Sequence, residues 1–571
     1  MIGIGAVEGL AMAEIYVINP AVIKTEKHYV EGSEQELRRF LAAKETAAEQ
    51  LINIMSTTAE ELGTENAEIF DYQLLMLEDE DFVERIRNLI REEKVSAEYA
   101  VSTVAGEYIE LFKNIDNDYL RERTSDIEDL EARLLSLLDG SEPNTLSAMD
   151  KDVIVAAIEL TPSQTACINK TRVKGIILEK GGASSHSVII ARSLGIPCIV
   201  GIPDLLDHAA QGVTAIINGA TGEVFLSPEE SKVQEFKEYQ NLIEIEQLDL
   251  NRYVNCESKT TDGFQVRVYA NITGQNEVSP LIRNGGEGVG LLRTEFIYMT
   301  GTKPPSEEIQ FGIYSDIAKS LGGKPLIIRT LDAGGDKAIP YLKFPKEDNP
   351  FLGFRAIRYC LENRELFKAQ ISAALRAGQY GRVELMVPMI STVEELREVK
   401  NIVLEVKNQL RRAGTVFDET VRLGMMVETP AAAMLADKFA KEVDFFSIGT
   451  NDLTQYLFAA DRMNEKVAHL NSYYAPALLK TVSYVCRCAD EAGIEVDICG
   501  QAGEIPELVP VWIGMGITNL SVSIPSILKV RRLICRTNRV EAAELVDKLL
   551  DLHTAKEVEN YLISRRDENK W

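Results

Sequence analysis

From about residue 259 onward, the sequence alternates a strand-like run with a helix-like run eight times. Parallel strands need crossovers between them, so eight such units in about 310 residues predict a closed (β/α)8 barrel, also called a TIM barrel. The strand candidates are short, largely apolar runs at Val266–Ile272, Val289–Arg293, Leu326–Thr330, Val383–Met389, Leu423–Glu428, Phe445–Ile448, Glu495–Cys499 and Leu520–Val522.

Polar side chains recur where these strand candidates end. They are Asn271, Arg293, Arg329, Glu428, Asn451 with Asp452, and Cys499. In a (β/α)8 barrel the carboxyl ends of the strands carry the active site, whereas a purely structural role would scatter Arg and Glu over solvent-facing helices. The sequence therefore predicts an active site at this face of the barrel.

The residue types at these strand ends indicate a chemistry. The guanidinium fork of arginine matches carboxylate and phosphate oxygens, so Arg293 and Arg329 favour an anionic ligand. Glu428 and Asp452 offer the oxygen ligands that Mg²⁺ commonly shares with a substrate phosphate. Arginine, carboxylate and Mg²⁺ together are typical of phosphoryl transfer, in which catalysis is mostly positioning and charge neutralisation.

One of the five histidines, His186, lies in residues 181–187 (GGASSHS), directly ahead of an apolar, helix-like run. Glycines let the backbone approach an anion, and the N–H groups at a helix start favour negative charge and a neutral imidazole. The segment fits a phosphate-carrying histidine. It also fits a serine-capped helix start with an incidental histidine, and these residues alone leave both interpretations open.

Composition divides the chain into four regions. Alternating β-branched and helical runs predict an α/β domain, and a stretch poor in Gly and Pro with apolar helical spacing predicts about four helices. A polar stretch rich in Glu, Gln and Lys predicts a linker helix. The predicted regions are an α/β domain at 1–24 and 144–226, a helical insertion at 25–143, the linker helix at 227–258 and the barrel at 259–571.

The charge balance bears on partners and location. Lys and Arg total 61 against 88 Asp and Glu, which gives a formal net charge of −27 at pH 7. This excess argues against binding to nucleic acid or anionic membranes, and it suits a basic protein partner or simply solubility. No apolar run approaches a membrane span, and no basic region precedes the first apolar stretch, so we expect no membrane insertion and a cytoplasmic location.

Longer motifs occur in both halves of the chain. In the barrel they are residues 290–296 (GLLRTEF), 329–337 (RTLDAGGDK), 349–358 (NPFLGFRAIR), 426–430 (MVETP) and 447–456 (SIGTNDLTQY). Together with residues 160–165 (LTPSQT) and the His186 segment, they resemble enzyme I of the phosphoenolpyruvate-dependent sugar phosphotransferase system over nearly the whole chain. Pyruvate phosphate dikinase and phosphoenolpyruvate synthase are similar in part, but they need a nucleotide-binding domain, and no glycine-rich nucleotide loop is found here.

The resemblance implies an architecture and a reaction. A swivelling phosphohistidine α/β domain with an inserted helical subdomain and a linker helix would precede a barrel that binds phosphoenolpyruvate and forms a homodimer. His186 would accept the phosphoryl group with release of pyruvate, and Mg²⁺ would be the cofactor. The group would then pass to HPr or an HPr-like phosphocarrier protein, docked on the helical insertion beside the acidic run at 78–81, for sugar uptake.

The resemblance also implies a role for each site residue. The implied catalytic residues are His186 and Cys499, the latter protonating the enolate to give pyruvate. The implied metal ligands are Glu428 and Asp452. The implied substrate-binding residues are Arg293, Arg329, Arg355, Asn451, Asp452 and Arg462.

Some positions depart from the family's pattern. Glu128 stands where the family commonly has arginine, and Gln73 where it often has histidine, both in the helical insertion. In the barrel, Gln501 replaces a customary glutamate and Met463 a glycine. Because the phosphate, metal and nucleophile positions are retained, we expect the chemistry to be kept while the choice of acceptor stays open.

Three alternatives follow from these departures and from the family's relatives. The first is a diverged paralogue that serves a specialised carrier, indicated by Glu128 and Gln73. The second is a non-catalytic regulator that senses phosphoenolpyruvate, indicated by Gln501 and Met463. The third is an ATP-using dikinase.

Overall fold

The structure is a computed structural model that describes residues 1–18, 25–62, 64–113, 124–140, 146, 149–182, 185–299, 301, 303–335, 339, 341–464 and 466–567. The chain forms two compact units, Met1–Leu242 and Ile243–Trp571. The boundary between them falls within one long helix, Glu230–Asn251, which is shorter than the 227–258 predicted for the linker helix.

The second unit is built around a closed barrel of eight parallel strands, in which each strand pairs with the next and the last pairs with the first. The strands are β8 (Arg267–Ile272), β9 (Val289–Arg293), β10 (Leu326–Arg329), β11 (Val383–Val387), β12 (Arg422–Val427), β13 (Phe445–Ile448), β14 (Glu495–Ile498) and β15 (Asn519–Val522). The predicted (β/α)8 barrel is confirmed, and every predicted strand end agrees with an observed one to within two residues.

Helices surround the barrel and form a single core with the outer faces of the strands. The helix Val393–Ala413 shows why these segments are helical: Thr392 and Glu395 form a capping box, and Gly414 ends the helix with a φ of 67°. The other helices of this unit are Val278–Arg283, Glu295–Met299, Glu307–Ser320, Ile357–Glu362, Arg364–Ala377, Pro430–Met434, Ala436–Phe439, Thr450–Phe458, Pro476–Ala492, Val509–Gly514, Ile527–Arg536, Arg539–Leu550 and Ala555–Asp567.

The barrel contains a small apolar cluster beneath the strand ends. Its six buried side chains, called the interior cluster below, are Leu291, Ile327, Met386, Met426, Phe445 and Cys499. Arg293, Arg329 and Glu428 each follow a member of this cluster by two residues. Because alternate residues of a strand point to the same side, the interior cluster lies beneath these three side chains and forms the floor of the face at which the strands end.

The first unit contains a mixed sheet of seven strands. They are β1 (Ile4–Val7), β2 (Leu10–Ile18), β3 (Val153–Ala157), β4 (Val173–Leu178), β5 (Cys198–Val200), β6 (Thr214–Asn218) and β7 (Glu223–Leu226), with short helices at Pro162–Ala166, His186–Leu194 and Leu205–His208. Their order in the sheet is β1-β5-β4-β3-β2-β6-β7. The strands β2 to β5 run parallel, while β1, β6 and β7 pair in antiparallel fashion. This is the mixed α/β architecture expected from the sequence.

The chain between β2 and β3 is helical. Its described part contains five helices rather than about four, at Ser33–Leu62, Thr64–Glu78, Glu80–Glu92, Ala97–Lys113 and Thr124–Asp139. Of the apolar residues at helical spacing, Phe70 and Leu77 are buried in the common core and Leu74 packs against it, whereas Leu111 is 59% exposed. Within the described residues, no helix is both long enough and apolar enough to cross a membrane.

Candidate active site

Arg329 is held at the end of β10 by two carboxylates. Its Nη2 donates to Glu295 Oε1 at 2.5 Å, and its Nη1 lies 3.3 Å from Asp332 Oδ2. Only 5% of the residue is exposed. Burial lowers the pKa of Arg329, but Glu295 and Asp332 raise it by more, so the guanidinium is a permanent positive charge in a dry setting.

Arg355 lies in the loop after β10 and joins the same network. Its Nη2 donates to Asp332 Oδ1 at 2.9 Å, and its Nη1 donates to the Tyr456 hydroxyl at 3.2 Å and lies 3.7 Å from Asp452 Oδ1. Asp332 thus bridges Arg355 and Arg329. Each arginine also has a buried Nε without a hydrogen-bond partner, so both keep an unused donor.

Glu428 follows β12 and is 1% exposed. Its Oε1 accepts a 2.7 Å hydrogen bond from the Met389 N–H, and Met389 has a φ of 61°, an uncommon value for a residue with a side chain. Burial raises the pKa of Glu428, and the charges of Asp452 and Asp332 raise it further. A carboxylate in this position is therefore stabilised by any cation that binds beside it.

Asp452 completes the group of carboxylates, in the first turn of Thr450–Phe458. Its Oδ1 is buried without a hydrogen-bond partner and lies 3.7 Å from Nη1 of Arg462. Among the described residues, no three His, Cys, Asp or Glu side chains form a metal-binding group. Two carboxylates nevertheless fit Mg²⁺, which keeps several waters and takes its remaining ligands from substrate phosphate.

Two glycines next to the strand ends have no space for a side chain. A Cβ atom on Gly449 would come within 2.6 Å of Glu428 Oε2, and one on Gly500 within 2.0 Å of Thr450 Oγ1. Both positions therefore need glycine for lack of space, which explains the glycines that follow β13 and β14.

Asn451 and Gln501 both contact the hydroxyl group of Tyr473. Asn451 Oδ1 is 3.0 Å from the Gln501 N–H and 2.9 Å from the Tyr473 hydroxyl, which is also 3.0 Å from Gln501 Oε1. Because Oδ1 of Asn451 is already in use, its Nδ2 remains to donate to a ligand. Gln501, one of the departures from the family's pattern, therefore helps to hold Asn451, a predicted site residue, in place.

Cys499 is 4% exposed and belongs to the interior cluster. Its Sγ lies 3.7 Å from the Ile448 carbonyl oxygen. Burial raises the pKa of the thiol to about 12, with a further contribution from Asp497, so the sulfur carries a proton at neutral pH. A buried, protonated thiol is suited to donating a proton rather than to nucleophilic attack.

Arg293 differs from the other arginines. It ends β9, is half-buried, and has no hydrogen-bond or ion-pair partner among the residues that the structure describes. A cation without a counter-charge in a group of ion pairs is available to bind an anion.

His186 is the first residue of the helix His186–Leu194 in the first unit. Ser185 occupies the N-cap position, but its side chain makes no capping hydrogen bond, and its buried Oγ has no partner. The interpretation of this segment as a serine-capped helix start therefore lacks the bond that defines such a cap. Residues 183–184 and the side chain of His186 lie outside the described part of the chain.

The two departures in the helical insertion have different settings. Gln73 is fully buried, and its Nε2 donates to Asp129 Oδ2 at 2.9 Å. The Ser163 hydroxyl donates to the same oxygen at 2.5 Å. Glu128 is exposed and lies 3.2 Å from Lys113 Nζ. Only Glu128 is thus placed to meet a partner.

Several residues of the site received no role from the sequence. Glu295, Asp332 and Tyr456 fall inside the quoted motifs, and their position in a motif was the one feature of the sequence that could have indicated a role in the site. Tyr473 and the backbone of Met389 fall outside every motif, and their contacts depend on the path of the loops. Met463, by contrast, is 66% exposed, and the structure gives no reason for its departure.

Comparisons with known proteins agree with this arrangement. Three family models match the chain: "PEP-utilising enzyme, N-terminal" at residues 2–123, "PEP-utilising enzyme, mobile domain" at 149–222 and "PEP-utilising enzyme, PEP-binding domain" at 247–539. The chain is 42% identical to the phosphoenolpyruvate-protein phosphotransferase of Listeria monocytogenes, over 97% of each chain. It is 41% identical to that of Bacillus subtilis, over 97% of this chain and 98% of the relative. The chain therefore belongs to the phosphoenolpyruvate-protein phosphotransferase family.

Proposed function

We propose that this protein transfers the phosphoryl group of phosphoenolpyruvate to His186 in a Mg²⁺-dependent reaction, releases pyruvate, and passes the group to HPr or an HPr-like carrier for sugar uptake. The observation that carries the proposal is the strand-end cluster, in which buried Arg329 and Arg355 keep unused donors and Asp452 keeps an oxygen that accepts no hydrogen bond. Fixed positive charge together with oxygen ligands for a cation is what phosphoryl transfer requires.

The substrate-binding roles follow from what each side chain has left to offer. Arg293 can bind an anion without giving up an ion pair, and Arg329 offers its Nε. With Arg462, they are proposed to surround the phosphate and carboxylate of phosphoenolpyruvate. Asn451 is proposed to contact the phosphate through Nδ2. Arg355 assists by holding Asp332 and Asp452 in place.

Glu428 and Asp452 are the residues that would hold Mg²⁺. When bound, the ion neutralises charge on the oxygens of the transferred phosphate. The raised pKa of Glu428 supports this assignment, because the buried carboxyl lacks a sufficient counter-charge of its own. Asp452 also contacts the substrate side of the cluster, since its Oδ1 lies 3.7 Å from both Arg355 and Arg462.

Cys499 is proposed to complete the first half-reaction. Loss of the phosphoryl group from phosphoenolpyruvate leaves an enolate, whose C3 takes the thiol proton to give pyruvate and a Cys499 thiolate. The thiol is protonated at neutral pH. Cys499 lies in the floor of the site, directly after the last residue of β14. Both properties suit a proton donor to carbon.

The test of the nucleophile is a labelling experiment. Incubation with radiolabelled phosphoenolpyruvate and Mg²⁺ should give an acid-labile phosphohistidine, and His186→Ala should remove it. His208→Ala is the matched control, because His208 lies in the same unit in another short helix and should label like the wild type. Equal labelling of wild type and His186→Ala would refute the proposal, and release of pyruvate coupled to an acceptor would exclude a purely sensory protein.

The acceptor is proposed to dock on the helical insertion. All four residues of the acidic run 78–81 are exposed, but Asp79 caps the next helix and Asp81 accepts from the Tyr108 hydroxyl. Glu78 and Glu80 are left to attract a basic carrier. Glu78→Lys with Glu80→Lys should raise the KM for the carrier without changing labelling by phosphoenolpyruvate. An unchanged KM would place the docking surface elsewhere.

Glu128 favours the narrower version of this function, transfer to a specialised carrier. It is an exposed carboxylate where the family commonly has a cation, so it is expected to repel part of a general carrier's binding surface. Glu128→Arg should improve transfer to a general HPr.

We also propose that the protein forms a homodimer through the barrel. Sedimentation velocity would test this assembly. The cytoplasmic location stays a prediction.

A further inference from the structure

A buried carboxyl group lies inside the barrel beneath the proposed site. Asp497 and Cys499 are two residues apart on or just after β14, so both side chains point into the barrel interior. Asp497 is 1% exposed. Its Oδ1 has no hydrogen-bond partner, which is unusual for an ionised carboxylate in a protein core.

Ser447 connects these two groups. It lies directly opposite Asp497 in the register of β13 and β14, and its fully buried Oγ is 3.0 Å from Asp497 Oδ2. Cys499 is two residues further along the same inward face, and Ser447 is close enough to its sulfur for hydrogen bonding to lower the pKa of the thiol. A hydroxyl can accept one proton while it donates another, so Asp497, Ser447 and Cys499 form a continuous path for a proton.

The charges around Asp497 favour its neutral form. Burial raises the pKa of Asp497 to about 8, and the carboxylates of Glu495 and Glu384 add to the rise. Other charged or titratable groups face or flank Asp497 from the neighbouring strands. They are Glu495 on β14, Cys499 just after β14, Arg382 and Glu384 at the start of β11, Arg422 on β12, and Arg267 and Tyr269 on β8. The arginines are paired with Glu384 and Glu495 and form no ion pair with Asp497.

We propose that Asp497 is a positioning residue that returns a proton to Cys499 through Ser447 after each turnover. This inference rests on the proposed role of Cys499. When the thiol has given its proton to C3 of the enolate, the thiolate takes the proton of the Ser447 hydroxyl, and Ser447 takes the proton of the Asp497 carboxyl. One S–H and one O–H bond form as two O–H bonds break, and Asp497 regains its proton from water.

Loss of the relay should slow later turnovers but not the first one, because the resting thiol already carries a proton. Asp497→Asn and Ser447→Ala should form phosphohistidine in a single turnover within about 3-fold of the wild type. With excess carrier, their steady-state release of pyruvate should fall about 10- to 100-fold. Ser447→Thr keeps the hydroxyl and should restore much of the rate. Ser315→Ala, a buried serine outside the barrel strands with an unpartnered Oγ, is the control and should behave as wild type.

The outcomes distinguish the relay from the function on which it rests. If Cys499→Ala releases pyruvate at the wild-type rate, the assignment of Cys499 fails, and the relay fails with it. If Cys499→Ala is inactive but Asp497→Asn keeps its steady-state rate, the relay alone is wrong. An equal loss in both phases for Asp497→Asn and Ser447→Ala, with no recovery in Ser447→Thr, would indicate a structural role and overturn the proposal.

Discussion

The two ends of the barrel are built from the same residue types but differ in how fully their polar groups are paired. At the carboxyl ends, Arg329, Arg355 and Asp452 each keep a buried polar atom that makes no hydrogen bond. Two residues there, Ala356 and Met389, have φ values of 51° and 61°. Unpaired buried groups and strained backbone both cost stability, so their concentration at one end supports the proposal that this end carries the active site.

At the amino-terminal end the same residue types are satisfied by one another. Arg422 lies 3.0 Å from Glu495 and 3.4 Å from Glu384, while Arg267 and Arg382 each pair with one of these glutamates. None of these five described side chains has a buried polar atom that lacks a partner. Complete pairing indicates a structural role, as expected for this face of the fold.

The largest expected effect tests the carboxyl end. Glu428→Gln keeps the shape of the side chain but removes a proposed Mg²⁺ ligand, so pyruvate release should fall by about 10³-fold. The melting temperature should not fall, because burial already disfavours the charge of Glu428. Steady-state kinetics and thermal unfolding measure the two quantities. A variant that unfolds but keeps its activity when folded would reverse the assignment of this end.

The matched change at the other end is Glu384→Gln. Glu384 is 3% exposed and pairs with Arg382 at 2.7 Å, so loss of its charge should lower the free energy of unfolding by about 1–3 kcal/mol. Activity at a temperature at which the variant is folded should stay within about 3-fold of the wild type, because no proposed site residue contacts it. A large loss of activity without loss of stability would contradict the comparison.

The middle of the barrel should give stability a pH dependence. Burial raises the pKa of Asp497 from its ordinary value to about 8, so between about pH 4 and pH 8 the folded state binds a proton that the unfolded state releases. Stability should therefore fall as pH rises through this window, by at most about 1.4 kcal/mol per pH unit from this group. Asp497→Asn should flatten that slope in thermal unfolding, and Asp547→Asn, an exposed carboxylate of the same unit, should leave it unchanged.

The sequence predicted both the barrel and the residues at its strand ends, for a local reason. A β-branched run followed by a turn gives the position of each strand end, and the fold brings those ends together. The contacts that distinguish the two ends of the barrel are not local. Asp332 bridges two arginines because a loop returns over β10, and Ser447 meets Asp497 only through the register of two neighbouring strands.

The helical insertion shows the same limit of predictions from local sequence patterns. Apolar spacing placed Phe70 and Leu77 in its core correctly, but it also included Leu111, which is exposed, and it did not give the number of helices. It also could not tell that Gln73 is buried against Asp129 while Glu128 is exposed. Both are polar residues at helical positions, and burial of a polar residue depends on a partner supplied by another helix.

The smallest expected effect concerns the backbone strain at the carboxyl end. Ala356 follows Arg355 and has a φ of 51° and a ψ of −125°, a conformation that glycine adopts without a steric penalty. Relief of strain in Ala356→Gly should offset the loss of a buried methyl group and the added chain entropy, so that stability stays equal or rises by up to about 1 kcal/mol.

Ala374→Gly is the control for this change, because it removes a buried methyl group from the helix Arg364–Ala377, where the backbone is unstrained. It should lower stability by about 1–2 kcal/mol. Ala356→Gly should also slow catalysis by a few-fold, since the strained backbone fixes the guanidinium of Arg355 between Asp332 and Asp452. If the two glycine variants lose equal stability, Ala356 stores no strain, and the contrast between the ends of the barrel then depends on its unpaired polar atoms alone.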